Sequence, residues 1–535
     1  MRILIAFLLG PALLSLWPAS GEAAQLPTLP QAFIDTTYSP PSGNTIVVNA
    51  GGNLQTAINN AVPGDTIVLQ AGATFSGPFT LPNKVGSAWI YIRSSAYASL
   101  PPPGTRVSIA DSANMPKIVG TAAGVNAIRT NAQAHNYRFV GIEIRPAAGQ
   151  FVTNLVAIGG GETSLANLPH DITFDRCYVH GDPSVGGRRG IAMNGASVAV
   201  VDSYISDFKE VGADSQALWT YNSPGPLKIV NNYLEAAAEN FVSGGADPEI
   251  ANLVPSDIEI RRNHFFKPLS WIPLKWTVKN LLEFKSAQRI LVEGNIFENI
   301  WAAAQIGALM NAKSVNQNGG CTWCVTRDLT FRYNRGINLE SGFQLSGDAS
   351  EGGFIAVPMN RLLIEHNQVV ITRPQSGNGS IFQIAGSPSN ITIRHNTGLI
   401  TVTHGSTAVV DTTTQIDQFY FRDNMLSAGD YGFKGGGTTE GTGTLDAYFT
   451  NYTFTNNAII GSSGTYPATN LFPSNTTAVG FVNFAVGNYA LSSTSSLHNA
   501  ASDGTDVGAN IAGIAAAISG AASPILPAPK NLRVQ

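Results

Sequence analysis

The stretch Asp257–Phe266, DIEIRRNHFF, decides the fold. Ile258 and Ile260 lie two apart, with Glu259 and Arg261 on the alternate face, so the phrase reads as a half-buried strand. Two polar residues, an Asn and a second apolar run follow. The phrase returns as RILVEGNIFEN (Arg289–Asn299), DLTFRYN (Asp328–Asn334), RLLIEHNQV (Arg361–Val369), NITIRHN (Asn390–Asn396), QFYFRDN (Gln418–Asn424) and NYTFTNN (Asn451–Asn457). Upstream, LKIVNNYL (Leu227–Leu234) keeps the Asn, whereas Ser203, Cys177 and Ile142 stand in its place in earlier copies. The intervals along positions 142, 177, 203, 232, 263, 295, 334, 367, 396, 424 and 457 vary from 26 to 39 residues. A period of that kind with variable insertions predicts a solenoid whose coils each hold two or three short strands. The Asn suits the turn, because it tolerates left-handed backbone and its amide can bond main chain or another Asn in the next coil. Antiparallel hairpins in a propeller or sandwich are the competing reading, but Asn-Gly turns between paired runs are scarce.

The chain has 535 residues, a formal charge of −4 and 12% charged residues. That length exceeds one compact core and suits several domains or an elongated repeat. No basic block or basic–aromatic stripe speaks for nucleic acid. Residues 1–24 read as an export signal: Arg2, the apolar run Ile3–Leu16, then small residues to Ala23 and Ala24. The run is short for a bilayer span, and no later segment is long enough, so a secreted, periplasmic or cell-surface protein is expected. Residues 25–44 form a Pro-rich lead-in. In an exported chain, Cys321 and Cys324 of CTWC read as a disulfide. Zinc would need a second ligand pair, and a thioredoxin-like role a βαβ context. Cys177 reads as a buried, inert thiol.

Thr45–Gly72 predicts strand, short helix, strand. Asn53 caps the helix, and Leu54, Ala57, Ile58 and Ala61 form its apolar face. This opening resembles the N-terminal cap of right-handed parallel β-helix proteins of the pectin-lyase-like superfamily. The resemblance implies an all-β, right-handed parallel β-helix of about eleven or more coils over residues 45–511, with stacked Asn residues pairing between coils. Residues 512–535 are expected to be a C-terminal cap and linker. Ser523–Gln535 resembles a linker into the first strand of a fibronectin-III-like module.

Function has to be sought where coils depart from the repeat. In WTVKNLLEFKSAQ (Trp276–Gln288), extended backbone puts Lys279, Leu281, Glu283 and Lys285 on one face and Leu282 and Phe284 on the other. Two lysines around a carboxylate are either a surface ion pair or a tuned general base. The strands before successive Asn phrases also offer Gln305, Gln344 and Gln383, read as a structural amide ladder. Upstream coils concentrate Arg188, Arg189, Asn194, Gln216, Glu239 and Asp247, flanked by Trp219 and Trp276. Rings with amides and charges suit sugars, which present flat C–H faces and polar edges.

Glu283-Phe284-Lys285-Ser286, followed by Gly294-Asn295-Ile296-Phe297, resembles a motif of the chondroitinase-B and alginate-lyase family. The resemblance implies Lys285 as base and Glu283 as a calcium ligand, with Glu239 or Asp247 supplying further oxygens. That family carries an Arg-His-Gly stretch in the next coil. This chain has Gln305-Ile306-Gly307-Ala308 there, so Arg188 or Arg189 is the substitute considered for the second basic residue. His180–Asn338 resembles secreted bacterial β-helix proteins that carry no assigned activity. The expectation is a monomeric, carbohydrate-active protein, a polysaccharide lyase cleaving a uronate glycan with calcium as cofactor. The alternatives are a non-catalytic glycan-binding surface protein and an inverting glycosidase.

Overall fold

The computed structural model describes residues 25–347, 351–372 and 379–522; the segments expected to be an export signal, 1–24, and a linker, 523–535, lie outside them. The chain winds as a right-handed parallel β-helix, each coil laying one strand on each of three sheets. A typical coil contributes Asn280–Phe284 to the first sheet, Ala287–Glu293 to the second and Ile296–Glu298 to the third. The three sheets hold 12, 14 and 13 strands among the described residues.

Register is set by like stacking on like. Ile258, Ile290, Leu329, Leu362, Ile391 and Phe419 pair in one inward column of the second sheet. Ile260, Val292, Phe331, Ile364, Ile393 and Phe421 form the next, all buried. A slip of one residue would turn both columns to solvent, so alternation holds the register. The open N-terminal end is closed by the helix Leu54–Asn60, whose Asn53 side chain accepts from the Thr56 N–H at 2.9 Å. Leu54, Ala57, Ile58 and Ala61 are buried beneath it, as the sequence predicts.

The repeated Asn forms an unbroken ladder between the second and third sheets. Asn232, Asn263, Asn295, Asn334, Asn367, Asn396, Asn424, Asn457 and Asn470 each accept from the backbone N–H of the preceding rung. Ser203 and Cys177 extend it upstream through their backbone N–H groups. One detail of the expectation is corrected. The left-handed residue is the one before the ladder position: Asn231, Arg262, Tyr333, His366, His395, Asp423 and Asn456 all have φ between 50 and 59°. The Asn itself is spent on side-chain bonding, and the corner before it takes the strained backbone.

That corner column is covered by two straps from distant parts of the chain. Over the N-terminal coils, Arg176 donates to the Pro101 carbonyl at 3.1 Å and Gly104 N–H to Asp202 at 2.6 Å. Arg106 reaches the carbonyls of Asn231 and Arg262, each at 3.0 Å. Over the C-terminal coils, Ser502 donates twice to Asp423, His395 meets Asp503 at 3.1 Å, and the Asn510 N–H faces His366 Nδ1 at 3.4 Å. Where the second strap reaches Gly294, a Cβ would stand 2.6 Å from the Ala517 carbonyl oxygen, which accounts for glycine at that one corner. The last strand of the three sheets is Ala458–Ile460, Asn470 carries the last ladder position, and the chain beyond turns back along the solenoid. It includes a short helix, Ile511–Ala517.

The Pro-rich lead-in is a third strap, on the outer face of the second sheet. Thr28 and Gln31 N–H groups donate to Asp328 and Asp257 at 3.0 and 2.8 Å. Arg138 binds the carbonyls of Thr36 and Thr37, and Tyr38 stacks on Tyr97. Cys321 and Cys324 form the expected disulfide, and Cys177 is buried and unpaired. No helix among the described residues is long and apolar enough to cross a membrane.

Candidate functional site

The first sheet carries the charged coils. Its register aligns Ala192, Trp219, Val242, Glu283, Asn311, Gln344 and Gln383 in one outward column. Upstream of Glu283 the column is apolar and buried; downstream it is an amide row.

Glu283 is the pivot. Its carboxylate is 1% exposed, with Lys285 Nζ at 3.8 Å and Lys313 Nζ at 3.7 Å from the same oxygen. Asn311 and Asn280 donate amide hydrogens to it at 3.3 and 3.2 Å. A carboxylate buried this deeply is tolerable only with such partners. The two lysines are stacked because Phe284 pairs with Ala312, which sets each lysine one residue past the strand. Gly244, at φ +100°, makes room: a Cβ there would lie 2.8 Å from the Lys285 Cβ. Beside this cluster lies an open cleft of about 450 Å³, lined by Gln305, Asn311, Lys313, Gln344, Ser346 and Gln383.

Lys313 is the residue that sequence reading missed. The signal was present: Glu283-Phe284-Lys285-Ser286 is answered one coil later by Asn311-Ala312-Lys313-Ser314. Gln305–Ala308, where the resemblance places a second basic residue, precedes Lys313 by several residues. The amide ladder also changes membership. Gln344 donates to Gln383 at 3.0 Å, but Gln305 lies outside the strand and accepts from Asn280, and Asn311 occupies the ladder position.

The upstream candidates do not join the pivot. Arg189 is three rungs from the Asn280–Phe284 strand and aligned with its start, which places it roughly 20 Å from Lys285 at ordinary strand spacings. Its guanidinium lies 3.8 Å over the Trp219 ring and donates to Gln216 at 3.0 Å. Gln216 in turn donates to Glu239 at 2.9 Å. Burial, reinforced by the neighbouring Glu283 charge, holds the Glu239 carboxyl well above its usual range. Arg188 is clamped to Glu210 by two bonds of 2.6 and 2.7 Å. Lys279 pairs with Asp214 at 2.6 Å instead of turning to Glu283. Asn194 accepts the backbone N–H groups of Tyr221 and Asn222. Trp219 is 8% exposed and donates to the Gly244 carbonyl, so it offers a sugar no open face, and Trp276 packs half-buried against the core.

The proposed calcium set does not fit. Asp247 receives the N–H groups of Gln317, Asn318 and Gly320 at 2.6, 2.9 and 2.8 Å, clamping the loop before the disulfide. Glu239 is committed to Gln216, and Glu283 faces two ammonium groups and two amide donors. Among the described residues no three His, Cys, Asp or Glu side chains converge as a metal site.

No protein-family model and no curated protein sequence matches the chain. Among solved structures, an alginate lyase from Paenibacillus sp. str. FPU-7 is 15% identical over 69% of this chain and 97% of that one, at a TM-score of 0.35. The PL6 family alginate lyase AlyGC is 14% identical over 81% of this chain and 51% of that one, at 0.43. The pectate lyase Pel9A is 13% identical over 87% and 96%, at 0.32. The chain thus spans about half the length of AlyGC. The fold assignment rests on the three sheets themselves, and these likenesses add no statement about chemistry.

Proposed function

We propose that this chain is a polysaccharide lyase that cleaves a uronate-containing glycan by β-elimination at the Lys285–Glu283–Lys313 cluster. The observation that carries the reading is the pair of lysines from successive coils, held by one buried carboxylate beside an open, amide-lined cleft. β-Elimination needs a base for the proton next to the uronate carboxylate and positive charge on that carboxylate as the carbanion forms. Lys285 takes the first task and Lys313, with the Asn311 and Gln344 amides, the second. The neutral Lys285 amine takes the proton, the C–H electron pair moves into a new C=C bond, the glycosidic C–O bond breaks, and the departing oxygen is protonated by the Lys285 ammonium so formed. Glu283 holds both lysine side chains in place, Lys313 as the ammonium and Lys285 entering the step as the amine. An inverting hydrolase would need two carboxyl groups about 6.5–9.5 Å apart across the bond. Glu283 stands among lysines, and Glu239 is turned into Gln216, which disfavours that alternative.

The test incubates the protein with uronate polysaccharides, with and without added calcium, and follows absorbance from unsaturated ends. Lys285→Ala and Lys313→Ala are expected to lose about 10²–10⁴-fold in rate. Full activity in Lys285→Ala, or reducing ends without unsaturation, sinks the reading. Tight binding without product would leave the glycan-binding alternative.

A further inference from the structure

The amide row downstream of Glu283 carries information on the substrate. Asn311, Gln344 and Gln383 stand on successive rungs, about 4.8 Å apart, and point outward because Met310, Leu345 and Ile384 beside them are in the core. The bond from Gln344 to Gln383 uses one amide donor and one amide oxygen. Ser346 lines the same wall. An amide offers both donors and acceptors, as does a sugar hydroxyl, whereas an ionised carboxylate only accepts. Hydroxyls satisfy both ends of this row, and a carboxylate would face amide oxygens it cannot donate to.

Cations along the row point the same way. Lys313 lies at its upstream end. In the same column the next lysine is Lys434, reached through Gln383 and Val409, three rungs beyond Gln344 and so roughly 14 Å away. Among the described residues, a chain with a carboxylate on every sugar would bring several negative charges onto a stretch with a lysine at each end and Asn311, Gln344, Gln383 and Val409 between. One acidic sugar meets the lysine pair; the sugars beyond it meet neutral donors and acceptors.

We infer that the cleft selects a heteroglycan in which a uronate is followed, along the Gln344–Gln383 wall, by neutral sugars, and that it discriminates against homopolyuronates. The inference rests on the lyase reading for the position of the reacting uronate, but its test is affinity. Lys285→Ala protein is titrated calorimetrically with two hexasaccharides, one alternating uronate and neutral hexose, the other all uronate. The alternating ligand is expected to bind about tenfold tighter. Gln344→Lys and, independently, Gln383→Lys are expected to narrow or reverse that preference, since each places a cation on the row. Equal or tighter binding of the all-uronate ligand, unchanged by either lysine substitution, overturns the inference even if wild-type protein yields unsaturated ends. Preference for the alternating ligand with no unsaturated ends from wild type supports the inference and refutes the lyase reading instead.

Discussion

Replacing Asn295 by Ala tests the ladder, because the side chain makes four hydrogen bonds at 0% exposure. Its oxygen accepts the Asn263 backbone N–H at 2.9 Å and the Asn263 amide at 3.0 Å. Its amide donates to the Ile260 carbonyl and to the Asn334 oxygen, both at 2.9 Å. Alanine leaves the Asn263 N–H and one amide hydrogen without an acceptor in a dry corner. Each such group costs about 1–3 kcal/mol, and the effects overlap, so about 3 kcal/mol is expected locally. A solenoid opens in segments, which makes hydrogen exchange of the corners a better measure than one global midpoint. The Asn263 amide should exchange roughly a hundredfold faster in the variant. Corners several coils away, such as Asn424, should be unchanged. Asn295→Ser, which copies the Ser203 solution, should recover part of the loss. Unaltered exchange at Asn263 in Asn295→Ala would refute the account of the ladder as a chain of satisfied buried groups.

Two further outcomes follow from buried groups. Lys267 is fully buried and donates to the carbonyls of Ala236, Ala237 and Ala238 at 2.7, 2.9 and 3.1 Å and to Asn240 at 3.0 Å. Lys267→Met should cost about 3–5 kcal/mol by stranding that turn, read as a fall in thermal midpoint; an unchanged midpoint would show the bonds to be dispensable. The other concerns acid. Burial, together with the stacked His395, holds His366 down at about 4, below the roughly 6.5 of an unfolded histidine. Between those values the unfolded chain binds a proton that the folded one refuses. Stability is therefore full above about 6.5 and falls as pH drops toward 4, by about 1 kcal/mol after discounting for partial exposure. Protection of the strap around Asn510 should decline over that window and become pH-independent there in His366→Phe, which keeps the ring stack; a decline that persists in the variant would assign the effect to other groups.

The solenoid was legible because its determinants are local and recur in every coil. Ile258 and Ile260, two apart before Asn263, state in ten residues what the strand, its inward face and the next turn must be, and each repetition restates it. The helix cap at Asn53 and the CTWC disulfide were legible for the same reason. Glu283 and Lys285 also fell two residues apart in one stretch and could be read together. What the sequence by itself could not determine was which coils lie opposite one another once insertions of different length intervene. Register between strands, fixed by core columns such as Leu282 on Met310, decided that Lys313 shares Glu283 with Lys285 and that Arg189 does not. Lys279, one of the three charges assigned to a single strand face, was drawn away by Asp214, 65 residues earlier in the chain. The straps lay further still from local reading. Pro-rich or Gly- and Ser-rich segments look like linkers, because most of their bonds are made through backbone groups to side chains 79 to 300 residues away. Only the stacked coils create the columns of Asp328, Asp257, Asp423 and His366 on which those segments can settle.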